Sequence, residues 1–563
     1  MASSLFIVPT TSAYAVDTDD SEAMGQVISS DLFSLSLLDV ATSVAGNPSD
    51  AGPNAEPLNL SALGALSLDV GTLQLPLISD GTTPGLLNLG NAGVLNSYAS
   101  APSVTQAVAG AGAVDQNGAI DVSGSPTEPR GNATVNLTDL LAQLGIDPAT
   151  DPVISDLSLE LGAIGSTATK DAGTVTSEYV VADAKIALES PAVGTMTTAV
   201  GAVADDLGVT LNGLVGAGSP LLGTISGILG SLGVAGIGLD NTAISLTGVN
   251  TAMTAFKDNL ITQSFSDTDG IASINLGTGI VTIDLAKAFD ATNGLNGQAP
   301  NTDVIDAATL AAITTALGAA IDDLTATLTQ ELEDAINSIR LVITSDADAV
   351  LVSGSATIDA SIGELLGTAT TTPVVTVDLG GGLVEATLQT ALEDIALPLI
   401  ATAAGNVLNP VLAGVGGLVS SAVTPLLTAL TPVINGVLAD VIQLTVNEQP
   451  TPGLLGAESF TVSALTLTLL PQAAAAKVSL GTSTVRALDF VPVSIDSPTA
   501  GQDLGETGSV PVSGLGESGA TISVVLDGDA ANPQTAVVDV DGNWTVTFTD
   551  VPAGDHAVVA TQD

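Results

Sequence analysis

Three features of this chain predict an α+β fold, an elongated mixed body of strands and amphipathic helices followed by a β-sandwich. One is a stripe of branched aliphatic residues at three- and four-residue steps, backed by Gly, Ser and Thr, which marks helices packed on one side. The second is a series of short β-branched stretches closed by turn residues. The third is a change of character after residue 490, where strand-like segments recur every 8–12 residues between Gly and Asp turns. The expected divisions are a signal-peptide remnant at 1–15, the α+β body at 16–490 and the sandwich at 491–563.

The helical stripe is clearest from Leu310 through Ile313, Leu317, Ile321, Leu324, Leu328, Leu332 and Ile336 to Ile339. Asp306 is the expected N-cap, and Arg340 is expected at the carboxyl end, where the helix dipole favours a cation. Residues 207–239 and 395–439 are two further striped runs without a charged residue. The second is long enough to cross a bilayer. Pro398, Pro410, Pro425 and Pro432 interrupt it, and Asn406, Asn409 and Asn435 would be costly in lipid. Its flanks hold no Lys or Arg to fix a topology. The expectation is therefore short helices buried against other protein.

The strand signals begin with Leu32 to Val40, Leu66 to Val70, Leu73 to Ile78 and 119–123. A strand-to-helix unit then recurs. Thr134-Val135-Asn136-Leu137, Val281-Thr282-Ile283-Asp284-Leu285 and Val375-Thr376-Val377-Asp378-Leu379 each precede a turn or helix start. Leu341 to Thr344, Ala349 to Ile358, Val441 to Val446, Phe460 to Leu470 and Ala476 to Leu480 read as further strands. In the last segment the strands are Val510 to Val512, Thr521 to Leu526, Ala536 to Val540, Trp544 to Phe548 and His556 to Ala560.

Composition bounds the function. With 45% hydrophobic residues the chain can bury a core, but with 2% aromatics that core must be small and aliphatic. Sixty acidic residues against eight basic ones give a formal charge of −52. Nucleic acid and anionic membranes are excluded as partners on that ground. The acidic coat keeps an apolar-rich secreted protein soluble, and weak Ca²⁺ binding is the sharper expectation for it. There is no Cys, hence no disulfide and no thiolate chemistry. Leu5 to Val8 followed by Ala13-Tyr14-Ala15 resembles the end of a secretory signal peptide.

Two stretches resemble known families. Ile495-Asp496-Ser497-Pro498, Ser518 to Val524, Asp539 to Val546 and Gly554-Asp555-His556 resemble the bacterial immunoglobulin-like repeats of surface proteins. The resemblance implies an immunoglobulin-like β-sandwich, expected to be truncated after Ala560. Residues 21–490 resemble the choice-of-anchor G family of actinobacterial surface proteins. Ser21 to Val27, Pro57-Leu58-Asn59-Leu60 leading to Leu73 to Leu77, and Leu157 to Ala163 before Tyr179 carry that likeness. It implies a cell-surface protein held by a wall or membrane anchor, with no catalytic residues to carry over.

No catalytic, cofactor or metal residue is assigned. His556, the single histidine, stands at a strand start without a Gly-x-Ser-x-Gly elbow elsewhere to support a triad. Gly380-Gly381-Gly382 lacks a phosphate-binding pattern and reads as a turn. The acid pairs Asp205-Asp206, Asp322-Asp323 and Asp346/Asp348 come without the aromatic platforms of a sugar cleft. Asp539 and Asp541 offer oxygen ligands to Ca²⁺, but the 12-residue loop is missing and a hairpin turn is the plainer reading. The expectation is a non-enzymatic, extracellular, cell-wall-associated structural or adhesive protein whose partners are the cell envelope or another surface protein. Alternatives are a lipid- or hydrophobic-partner-binding surface protein and a surface hydrolase.

Overall fold

Short β-branched runs between turns become antiparallel strands, and striped runs become helices laid over them. The computed structural model describes residues 19–562 apart from 31–41, 59–66, 71–72, 77–84, 89–94, 123, 126–127, 130–132, 142–143, 149–150, 217, 233–235, 350–351, 473–475 and 506–507. The signal-like stretch 1–15 and the Leu32 to Val40 run lie outside these residues.

The chain opens with strands β1 (Ser21–Ser30), β2 (Thr42–Asn47), β3 (Asn54–Pro57), β4 (Ser67–Val70), β5 (Leu73–Pro76), β6 (Leu87–Asn88), β7 (Asn96–Ser103) and β8 (Gln106–Gly112). After the small β9–β10 ladder (Gly124–Ser125 and Glu128–Pro129) come β11 (Ala133–Asn136), helix α1 (Thr138–Leu141), β12 (Asp156–Leu161), β13 (Ile164–Asp171), β14 (Thr174–Val181) and β15 (Ala184–Glu189). Helices α2 (Pro191–Leu214) and α3 (Pro220–Ser231) precede β16 (Gly238–Thr247), α4 (Val249–Leu260), β17 (Ser264–Ser266), β18 (Ala272–Asn275), β19 (Ile280–Asp284), α5 (Leu285–Phe289) and β20 (Thr302–Asp303). The long helix α6 (Ala307–Ser338) is followed by β21 (Arg340–Ala349), β22 (Val352–Ser361), α7 (Ile362–Leu366) and β23 (Val374–Asp378). A continuous helix, α8 (Leu383–Val441), then leads to β24 (Ile442–Glu448), β25 (Phe460–Leu469) and β26 (Ala476–Arg486). Last come β27 (Ser509–Leu515), β28 (Thr521–Leu526), β29 (Gln534–Val537), β30 (Asn543–Thr549) and β31 (Val558–Gln562). Antiparallel sheets with interspersed helices make this an α+β fold, as the sequence predicts.

Four sheets build the body. A six-stranded sheet has the order β2-β1-β26-β25-β24-β20, so the first and last parts of the body meet in it, Glu22 opposite Arg486. A five-stranded sheet, β14-β13-β8-β7-β3, stacks on one of its faces. Between them lies a core of Ala23, Ala45, Ala99, Ala101, Ala107, Ala109 and Ala168 with Val462, Val485 and Ala487. Such small residues let the sheets approach closely. A methyl group at Gly25 would collide with the carbonyl of Gly110 across the gap. The other face of the six-stranded sheet presents Leu465, Leu467, Val478 and Leu480 to a much larger aliphatic core. That core also takes in the seven-stranded sheet β17-β18-β19-β15-β12-β11-β6, the four-stranded sheet β16-β21-β22-β23 and the helices.

Helix α6 follows its stripe. Asp306 caps it by accepting from Thr309 N at 2.8 Å, and Ile313, Leu317, Leu324, Leu328, Leu332 and Ile336 are buried. Arg340 is not a helix-end residue. The helix stops at Ser338, and Arg340 opens β21, where its Nε donates to Asp359 Oδ1 on β22 at 2.7 Å. All three strand-to-helix units form, as β11 into α1, β19 into α5 and β23 into α8. A fourth, β22 into α7, went unread in Ala356-Thr357-Ile358-Asp359. Ser361 starts α7 with a capping box, accepting from Glu364 N while its own N–H donates to Glu364 Oε2. The 119–123 segment holds only an isolated bridge between Val114 and Ile120.

The 395–439 run departs most from expectation. It forms no set of short helices but the greater part of the single helix α8. Ile400, Ala404, Leu408, Val415, Val419, Val423, Leu426 and Leu430 are buried, while Pro398, Pro410, Pro425 and Pro432 are exposed. Each proline therefore loses its helical bond on the solvent side, where water can take up the orphaned carbonyl. Two π-helical turns, Leu392–Ala396 and Val433–Val437, flank the proline-bearing section. The 207–239 run is divided between the end of α2, all of α3 and the start of β16.

Residues 509–562 form two small sheets, β27–β30 and β29–β28–β31. They enclose a separate core of Val512, Ile522, Val524, Val538, Trp544, Val546 and Phe548. Trp544 donates its indole N–H to Leu515 O at 2.9 Å.

Candidate functional site

The chemically capable side chains mostly satisfy one another. Six of the seven basic residues among the described residues lie in ion pairs: Lys170 with Asp489, Lys185 with Asp183, Lys257 with Asp205, Arg340 with Asp359, Lys477 with Glu448 and Arg486 with Glu22. Lys287 reaches the carbonyl of Gly270 at 3.3 Å. The described residues therefore offer no basic patch that could track a phosphate backbone.

The acids serve as caps and turn-formers. The three glycines 380–382 all take positive φ. Their backbone is occupied internally, because the Glu385 carboxylate accepts from Leu379 N at 3.0 Å and Gly381 N at 2.7 Å. These bonds hold the Glu385 carboxyl below its ordinary pKa. The strand-to-helix turn is thus closed by its own anion. Asp539 Oδ1 likewise accepts from Asp541 N at 3.0 Å and Asn543 N at 2.8 Å, the hairpin turn read from the sequence. Asp346 receives Asn241 Nδ2 at 2.8 Å, and Asp322 and Asp323 stand exposed on α6. Among the described residues no three His, Asp or Glu side chains converge as metal ligands.

His556 has two acceptors. Its Nδ1 lies 2.6 Å from Asp527 Oδ2 and its Nε2 lies 2.7 Å from Pro552 O. A carboxylate at one nitrogen and a carbonyl at the other ask both to carry protons, which is the imidazolium form. The Asp527 hydrogen bond, reinforced by the Pro552 carbonyl, raises the His556 pKa, and His556 lowers that of Asp527. Asp527 also accepts from Ala557 N at 2.8 Å, so the pair ties the start of β31 to the end of β28. The sequence placed His556 at a strand start but carried no signal for its partner, 29 residues away.

A less expected polar feature lies inside the body. Ser166 on β13 bonds across the sandwich to Gly481 O and Ser483 Oγ, both at 2.8 Å. Ser43 and Ser97 share a bond at 2.8 Å, and Thr461–Thr484, Ser463–Thr482 and Thr466–Ser479 share bonds at 2.9 Å. All ten side chains are fully or almost fully buried. Sequence reasoning missed this seam because alternating Ser and Thr in a strand ordinarily mark the solvent face.

An open groove of about 690 Å³ lies between α4 and α6, lined by Ala252, Phe256, Asp258, Glu331, Asp334 and Ala335 among others. Glu331 is already engaged by Gln263 Nε2, at 2.6 and 2.8 Å. A small apolar void lies between the seven-stranded sheet and the end of α8, among Leu157, Ile186, Leu188, Ile283, Val433 and Leu438.

These features define a class: an acidic α+β protein whose polar groups cap, pair and crosslink its own sheets and helices. The chain belongs to the family described as Domain of unknown function (DUF8394), which matches residues 23–486. No curated protein and no solved structure matches it.

Proposed function

We propose that this is a non-enzymatic structural or adhesive protein of the cell surface. The body is its presenting part, and the terminal sandwich, read as immunoglobulin-like, is a stalk module that spaces the body from the envelope. The carrying observation is the pairing of a large body with a small two-sheet unit that has its own hydrophobic core. A module with a private core can be repeated or extended without disturbing the body. The signal-like start and the charge of −52 support the same reading, as does the resemblance to the choice-of-anchor G family. The presentation partner is a component of the envelope or another surface protein. Fractionation of cells that make the protein tests the proposal. Recovery with the envelope or the medium is expected, and native full-length protein in the cytosol contradicts it.

A further inference from the structure

Among the described residues, helix α8 leaves one face without a protein partner, and between residues 395 and 439 that face has no charge. From residue 395 to residue 439 there is no Asp, Glu, Lys or Arg, in a chain whose formal charge is −52. The flanking helices carry acids instead, Asp206 on α2 and Asp322 and Asp323 on α6. The uncharged strip is therefore bordered by negative charge on both neighbours. Helix α6 runs antiparallel beside it, with Thr329 near Gly416 and Thr314 bonded to Asn435.

The strip is apolar in practice. Leu399 and Leu418 are about half exposed. The hydroxyls of Thr402, Ser421 and Thr424 donate to their own helix at Pro398 O, Gly417 O and Ser420 O, so covering them strands few donors. Side chains added at Gly414 and Gly417 would meet nothing within 4 Å, so a second backbone can come close there.

Not every polar group is satisfied. Pro410, Pro425 and Pro432 remove the helical donors to the carbonyls of Asn406, Ser421 and Thr428, all on exposed residues. In hydrocarbon such carbonyls are costly. A protein face with amide donors can meet them, and the exposed amides of Asn406 and Asn409 lie on the same helix. Donors and acceptors thus share one strip, which is the requirement for a self-complementary, two-fold interface.

We propose that the outer face of α8 pairs antiparallel with the same face of a second copy of this chain. A two-fold axis near Gly414–Gly417 sets Asn409 of one copy beside the Ser421 carbonyl of the other. Charge selects this face, since two strongly acidic molecules repel wherever both carry carboxylates. The size suffices as well. A strip about 65 Å long and about 10 Å wide offers on the order of 700 Å² per copy, near the usual ~800 Å². The inference rests on the helix face alone and holds wherever the protein resides.

Sedimentation velocity of the full chain tests it, with circular dichroism as the fold control. A dimer is expected at micromolar concentration, strengthened on moving from about 0.15 M to about 1 M salt as repulsion is screened. Gly414→Glu and Ser421→Glu place carboxylates at the centre of the strip and are expected to give monomers with unchanged dichroism. Asn409→Ala, which adds no charge, is expected to weaken the dimer roughly 30-fold, because the two-fold axis makes its hydrogen bond twice. Thr176→Glu on the exposed β14 is expected to leave the dimer intact. A wild-type monomer at both salt concentrations overturns the proposal. So does a dimer that survives folded Gly414→Glu and Ser421→Glu. Flotation of the monomer with zwitterionic phosphatidylcholine vesicles, blocked by the same two substitutions, assigns the face to lipid and also overturns it.

Discussion

The two interiors of the body are built on opposite plans. The stacked-sheet interior is rich in alanine, glycine and serine, with hydroxyl bonds crossing between its two sheets. The helix-covered interior is dominated by leucine, isoleucine and valine. In the first, closeness of the backbones provides the packing and hydroxyls fix the register. In the second, side-chain volume fills the space between layers that stand further apart. The first should resist added atoms, and the second should resist their removal.

The largest expected effect belongs to the helix-covered interior. Leu430, fully buried on α8, should cost about 2–5 kcal/mol as Leu430→Ala, measured by urea unfolding. A cost under about 1 kcal/mol would mean that α8 is not packed as described. Next comes overpacking of the sandwich. Gly25→Val drives a side chain into the Gly110 carbonyl, with an expected loss of about 3 kcal/mol, whereas a leucine core often absorbs a methylene more cheaply. Tolerance of the valine would break the comparison. Ser166→Ala strands the partners of a hydroxyl held by Gly481 and Ser483, and should cost about 1–3 kcal/mol. The same change at exposed Ser420 should lie within about 0.5 kcal/mol of zero.

The smallest effect is in the terminal sandwich, and it depends on pH. His556 has a raised pKa in the folded chain, so its contribution is complete below the unfolded value of about 6.5 and is lost as pH climbs through the folded value. Asp527 has a lowered pKa, so its contribution is complete above about 4 and is lost as pH falls through the folded value. The pair should therefore stabilise β31 most between about pH 4 and pH 6.5. The chain has one histidine, so a selectively labelled imidazole gives one resonance to titrate. Its midpoint should lie above 6.5 and drop in Asp527→Asn, and an unshifted midpoint would show the contact is not formed in solution.

Legibility followed the strength of local patterns. Helix α6 was readable residue by residue, because its stripe is regular and Asp306 caps it. The strand-to-helix units were readable because a β-branched run ending in Asp or Asn names both the strand and the turn. The continuity of α8 was hidden because proline in a striped run ordinarily ends a helix, and only the fold shows that all four prolines face out. Arg340 was misplaced by the short step from helix end to strand start, after which a cross-strand acid rather than a dipole is its partner. The stacking of the two sheets was also hidden, since Ser43 with Ser97 and Ser166 with Ser483 pair over 54 and 317 residues. Nor was the His556 contact in reach, for the acid that fixes it lies on another strand.

The proposed function turns on where the body is displayed. Intact, unpermeabilised cells that make the protein can be stained with an antibody raised against residues 491–563, then treated with an impermeant protease. Staining before lysis, with loss of the body on protease treatment, is the predicted result. Staining and cleavage that appear only after lysis would contradict the account.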